Sequence, residues 1–354
     1  MSSSFRLRAP VSLATLAALS LAVSGCTDQG ASSASTSTAT SSASASATAT
    51  ASDTASAPAT TRPAGAETAQ AAAGILAKLV ADQAAAITAT GADGDAKRAA
   101  VYSGKALEMA QAQVKLASTL SDADRGDLAL SGTGAVVLAV SRGAAYPRTI
   151  IAAANKATSA TPVLLLLSAA DPTAGYRIAA SASLLGGASV GQFEGVAIGS
   201  AAPGEGPLAI APDALLGAYA AALAYPSKDP VDPPFGADSF SAALLTAERN
   251  QVHTAARGAT LRSTHTPVGV AGGLRLPPGK GALIFVVLER KDVITDSTAN
   301  SLTPTKAFTV LSGKSIIQSR AELHSYEMVA FVVPESGKAQ AVAAEDQLYA
   351  ASGT

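Results

Sequence analysis

Between residues 68 and 354 apolar positions recur with two different periods. Residues 68–87 and 96–120 carry the helical one: in the second segment Leu107, Ala110, Val114 and Ala117 fall at three- and four-residue steps and form one stripe. After Asp122 the period shortens. Residues 135–140, 149–154 and 163–167 are apolar runs of strand length, and Asp171-Pro172-Thr173-Ala174-Gly175 turns the chain into a fourth strand over 176–182. A Gly- and Pro-rich stretch with Gly186, Pro203, Gly204 and Gly206 follows, after which helices are expected over 213–223, with Pro212 at the first turn, and over 239–257. Strands are then expected over 282–288, 308–311, 328–333 and 339–344, the last pair joined by the turn Pro334-Glu335-Ser336-Gly337.

The order thus reads twice: helices, then short strands. Gln113-Val114-Lys115-Leu116-Ala117 aligns with Gln251-Val252-His253-Thr254-Ala255, and the second copy carries an expected insertion between Lys291 and Lys306. The expected fold class is α+β. Two similar domains, 67–190 and 212–354, each pack helices on a curved antiparallel sheet, with 191–211 as a Gly/Pro-rich linker.

The first 66 residues have a different texture. Arg6 and Arg8 precede an apolar stretch that ends at Val23-Ser24-Gly25-Cys26, the layout of an export signal too short to span a bilayer, which needs about 20 apolar residues. Cys26 is the only cysteine, so the chain has no internal disulfide, and a free thiol outside the cell would be an oxidation liability. Residues 31–60 are Ala, Ser and Thr apart from Asp53 and Pro58. Such a segment has too little apolar bulk to repay its ordering entropy and reads as a disordered stalk spanning roughly 30–40 Å.

Val23-Ser24-Gly25-Cys26 resembles the lipobox of bacterial lipoproteins. That resemblance implies a signal peptide over 1–25, cleavage between Gly25 and Cys26, and a diacylglycerol on Cys26 that holds residues 26–66 and all that follows on the extracytoplasmic face of a cell membrane. Asp238-Ser239-Phe240, Gly281-Ala282-Leu283-Ile284-Phe285 and Tyr326 with Phe331-Val332-Val333-Pro334 are similar to stretches of secreted actinobacterial lipoproteins. The helix-then-sheet order resembles nuclear-transport-factor-2-like and cystatin-like folds, in which a helix across a bent sheet leaves a conical cavity. Neither likeness supplies a catalytic residue.

Charge and motifs narrow the function classes. Charged residues are 14% of the chain with a net charge of −1, so no nucleic-acid partner is expected. Gly187-Ala188-Ser189-Val190-Gly191 has the spacing of a nucleophile elbow but lacks a following helix. Ser312-Gly313-Lys314-Ser315 and Pro278-Gly279-Lys280-Gly281 have Phe308 and Leu274 where a phosphate-binding loop needs its first glycine. Three histidines, His253, His265 and His324, have no metal-ligand spacing, and neither metal nor cofactor is expected. The remaining chemistry is carboxylic. Asp292 and Asp296 fall in the expected insertion, and Tyr326-Glu327 opens a strand, so Asp292, Tyr326 and Glu327 are the pocket candidates. The expected function is a non-catalytic module of the cell envelope that binds a small hydrophobic ligand or an envelope protein. The alternative is a hydrolase or isomerase using an Asp or Glu with a Tyr in a cavity.

Overall fold

Thr68 starts the first helix by accepting the Ala71 amide on its hydroxyl at 3.1 Å, the standard way to satisfy an orphan donor at a helix start. The computed structural model describes residues 64–227, 232–254, 259–296 and 304–354; the segment expected as a signal, Gly25, Cys26 and the expected stalk as far as residue 63 lie outside them. Four helices come first: α1 (Ala69–Thr88), α2 (Gly91–Val101), α3 (Gly104–Leu116) and the short α4 (Asp122–Gly126). The helix expected over 96–120 is therefore two. Tyr102 and Ser103 leave helical geometry, and Gly104 restarts it at φ +55°, a conformation that glycine adopts without strain. Arg98, 3% exposed, closes the end of α1 by donating to the carbonyls of Ala86 and Ala89 at 2.9 and 2.8 Å.

Strands β1 (Leu130–Val140), β2 (Arg148–Lys156), β3 (Pro162–Ala169) and β4 (Arg177–Leu184) form an antiparallel meander, as the apolar runs predict. Then come α5 (Pro212–Leu223), α6 (Ser239–Thr254), β5 (Ala259–Arg275), β6 (Ala282–Asp296), α7 (Lys306–Ser312), β7 (Arg320–Val333) and β8 (Gln340–Gly353). All eight strands belong to one sheet in the order β1-β2-β3-β4-β8-β7-β6-β5, antiparallel throughout. The fold is α+β.

Three expectations are corrected. No strand is expected over 259–275, yet β5 is the longest in the sheet. It tolerates Pro267 and its glycines because it is an edge strand with irregular register at Pro267/Gly269 and Val270/Gly272. Residues 308–311, expected as a strand, are inside α7. Thr305 accepts the Phe308 amide at 3.2 Å and Gly313 ends the helix at φ +71°, so local capping overrides the β-preference of Phe, Thr and Val. Asp292 and Asp296 are not on an inserted loop but in β6, paired in register with Leu323 of β7 and Ala259 of β5.

The 191–211 stretch, expected as a linker, is fastened to both halves. The Ser200 amide donates to Val140 and the Arg275 amide to Ala201, both at 2.8 Å. Arg142 grips Glu194 at 2.7 Å, and the Arg275 guanidinium holds the Pro207 carbonyl at 2.8 Å and Glu335 at 2.6 Å. The described residues all fall in a single compact unit. At the seam β4 and β8 share only two register pairs, Ser183↔Ala344 and Leu184↔Ala343, and the sheet folds back there. A Cβ at Gly272 on β5 would stand 3.0 Å from Leu166 of β3, and the Ser181 amide of β4 donates to the Met328 sulfur of β7 at 3.3 Å. The two half-sheets thus face each other across one apolar core that joins Leu164 and Leu166 to Leu283, Phe285 and Val287 and includes the buried stripe of α1. A second core lies on the other face of β6 and β7, under α5 and α6.

Candidate functional site

Because side chains alternate along a strand, β6 and β7 sort their polar residues onto two faces. Arg290 and Asp292 of β6 and Ser325 and Glu327 of β7 point one way; Glu289, His324 and Tyr326 point the other. The three pocket candidates are therefore divided: Asp292 and Glu327 share a face, and Tyr326 is on the opposite one.

On its own face Tyr326, 4% exposed, stacks on Tyr349 with ring centroids 4.2 Å apart. Its hydroxyl donates to Glu108 and accepts from Lys105 of α3, both at 2.8 Å. Glu289 accepts from the Tyr349 hydroxyl and lies 3.2 Å from His324 Nδ1. Burial and the Glu289 carboxylate together raise the Tyr349 phenol well above its ordinary range. Each of these groups is partnered, and together they lock α3 to β7 and β8.

Glu327 and Asp292 sit in a row of charge that crosses the second half-sheet. Arg290, 1% exposed, extends Nη1 to Glu327 at 2.9 Å, Nη2 to Asp346 at 3.0 Å and to Ser325 at 3.3 Å, and Nε to Asp292 at 3.1 Å. His265 Nε2 lies 3.2 Å from Glu327. Burial works to raise the Glu327 pKa, but His265 and Arg290 outweigh it and hold the carboxyl below its usual range. Asp346 goes the other way: burial lifts it to about 6 despite Arg290, with Glu327 adding repulsion. Sequence reasoning found Asp292 and Glu327 but not Arg290, His265 or Asp346, which the strand register alone assembles.

A cavity of ≈ 320 Å³ opens between the first-half helices, the start of α7 and the sheet, with Asp346 of the charged row among its lining residues. Leu116, Leu120 and Leu128, Val163 of β3, Ile178 of β4 and Leu348 of β8 supply apolar wall. Polar groups enter at fixed points. Gln83 of α1 spends its amide on the Tyr102 hydroxyl at 3.0 Å, the Leu128 carbonyl at 2.8 Å and the Leu130 amide at 2.8 Å, and burial pushes the Tyr102 phenol up to about 12. Lys156 faces Glu345 at 3.6 Å, and Glu345 also accepts from Ser183 at 2.7 Å. None of Asp292, Tyr326 and Glu327 lines this cavity. The signal for it in the sequence was limited to the helix-over-sheet order, since its wall draws on residues from 83 to 348.

The motif residues set aside above are in turns or structural contacts. Ser189 is followed by irregular chain and no helix until Pro212. Gly313 is the C-cap of α7, and Gly279 lies between β5 and β6. Among the described residues no group of three His, Cys, Asp or Glu side chains could hold a metal ion. No family model matches the chain, and neither a curated protein nor a solved structure matches it.

Proposed function

We propose that this chain is a lipid-anchored, extracytoplasmic binding module whose ligand is a small, largely apolar molecule with one polar end. The observation that carries this reading is the ≈ 320 Å³ cavity between α1, α3, α4 and strands β3, β4 and β8. Its size falls at the lower end of small-molecule sites, about 300–1,000 Å³. Leucine and valine walls provide the affinity of a buried apolar surface, and the Lys156–Glu345 pair offers one place to orient a carbonyl, hydroxyl or carboxylate. The division of Tyr326 from Asp292 and Glu327 favours binding over the acid-and-tyrosine enzyme.

The lipobox at residues 23–26 supports the anchor, and the Ala/Ser/Thr stalk supports display away from the membrane. The halves read as a duplicated unit, each opening with helices and carrying four antiparallel strands, interrupted in the second half by α7, and their last strands, β4 and β8, meet at the seam.

The test is made on the full-length chain, expressed with its own signal and extracted in detergent. N-phenyl-1-naphthylamine should gain fluorescence with the wild type, and Leu120→Trp and Leu128→Trp, which fill the cavity from its rim, should weaken binding at least tenfold while circular dichroism stays unchanged. Equal binding by all three proteins, or none by the wild type, overturns the cavity reading. In the same cells labelled palmitate should enter the wild type and not Cys26→Ala; label in the variant overturns the anchor.

A further inference from the structure

Helix α6 turns one face to the sheet, and that face is spaced at four-residue steps: Phe240, Leu244, Glu248 and Val252. Phe240 and Leu244 are buried in the core beneath α5 and α6, and Val252 packs against a neighbouring apolar cluster. A carboxylate therefore occupies a core position in the middle of an apolar stripe. Glu248 is 4% exposed and has no ion-pair partner among the described residues. The Ser263 hydroxyl of β5 stands beside it and can donate to it.

The surroundings are acidic. Asp292 and Arg290 of β6 and His265 of β5 act on Glu248 directly, Arg290 ties them to Glu327 of β7 and Asp346 of β8, and Tyr219 of α5 is held by Asp238 at 3.1 Å. Four carboxyl groups thus share one arginine and one histidine. Arg290 is already committed to Asp292, Glu327 and Asp346. No cation is left to pair with Glu248 beyond the shared Arg290 and His265, and an ionised carboxylate buried without its own counter-charge is among the costliest groups a fold can hold. A proton removes that cost.

We propose that α6 is a proton-responsive cover over the charged row, seated while Glu248 is protonated and released from the sheet when it ionises. Burial raises the Glu248 pKa from 4.5 to about 7, with the Ser263 hydroxyl opposing, Asp292 adding to the rise, and Arg290 and His265 reducing it. A carboxyl raised on docking contributes fully below the pKa of the undocked state. That contribution is lost as pH climbs through the docked value. The window of loosening is therefore about pH 5 to 7, and Asp346, raised to about 6, titrates inside the same window.

The experiment is hydrogen exchange of the α6 amides in the full chain between pH 5 and 8, corrected for intrinsic exchange, in wild type, Glu248→Gln and Asp346→Asn. In the wild type the α6 opening constant should rise about 40-fold from pH 5 to 7 and then level off. Glu248→Gln should flatten the profile, and Asp346→Asn should leave most of the rise in place. A wild-type profile without a rise overturns the proposal, as does a rise that survives Glu248→Gln or vanishes with Asp346→Asn. Should Glu248→Gln fail to fold, a carbon-13 titration of the wild-type Glu248 carboxyl decides, with a midpoint near its ordinary 4.5 counting against the cover.

Discussion

Arg290 heads the largest fully buried side chains in the protein, ahead of every phenylalanine. A guanidinium can occupy such a place only because its planar fork of donors meets three carboxylates and a serine at once. Such a cluster is a poor source of net stability, since desolvation offsets most of the attraction, but removing one partner leaves the others stranded. Arg290→Met should therefore destabilise the protein by about 3–5 kcal/mol at pH 7 in urea unfolding. The double variant Arg290→Met with Glu327→Gln should recover part of that loss. A loss below about 1 kcal/mol would show that Glu327, Asp292 and Asp346 do not depend on the guanidinium. Little of this was visible in the sequence, where Arg290 is one of many surface-compatible residues. Glu327 and Asp292 stood out only for their apolar neighbours.

At the scale of elements, helix α7 shows how a few local contacts override propensity. Within it Phe308-Thr309-Val310-Leu311 reads as a strand. The Thr305 cap, the Gly313 stop and the full burial of Phe308 make it a helix. Thr305→Ala should cost about 1 kcal/mol and raise hydrogen exchange across α7 while leaving β7 protected. Unchanged protection in α7 would mean that packing of Phe308 alone holds the helix. The meander β1–β4 was legible because its strands are short apolar runs separated by turn residues. β5 was not, because Pro267 and its glycines break the pattern that an interior strand would need, and only its position at the edge of the sheet makes them harmless.

For the whole molecule the main consequence of the folded-back sheet is cooperativity. The 191–211 stretch is hydrogen-bonded to both halves, and the core between the half-sheets draws side chains from each. Unfolding in urea should accordingly be a single transition, with the same midpoint for a probe at Tyr102 in the first half and one at Tyr219 in the second. Two separated midpoints would show that the halves are independent domains after all. The cavity depends on this same assembly: Gln83, Tyr102 and Leu128 come from the first half and Glu345 and Leu348 from the last strand.

The sequence by itself determined the texture of the chain: an apolar stretch behind Arg6 and Arg8 that ends at the lone Cys26, an Ala/Ser/Thr run without apolar bulk, and an α+β region whose helical and strand periods could be read wherever caps and turns punctuate them. Those properties are local, set by residues within about ten positions of each other. The tertiary structure decided which strands share a sheet, that the halves close on one core, which face of the sheet Tyr326 takes and which Glu327 takes, and that a single arginine and histidine answer for four carboxyl groups. These depend on register and on contacts between distant residues, where a shift of one position exchanges the two faces of a strand. No period along the chain encodes that choice.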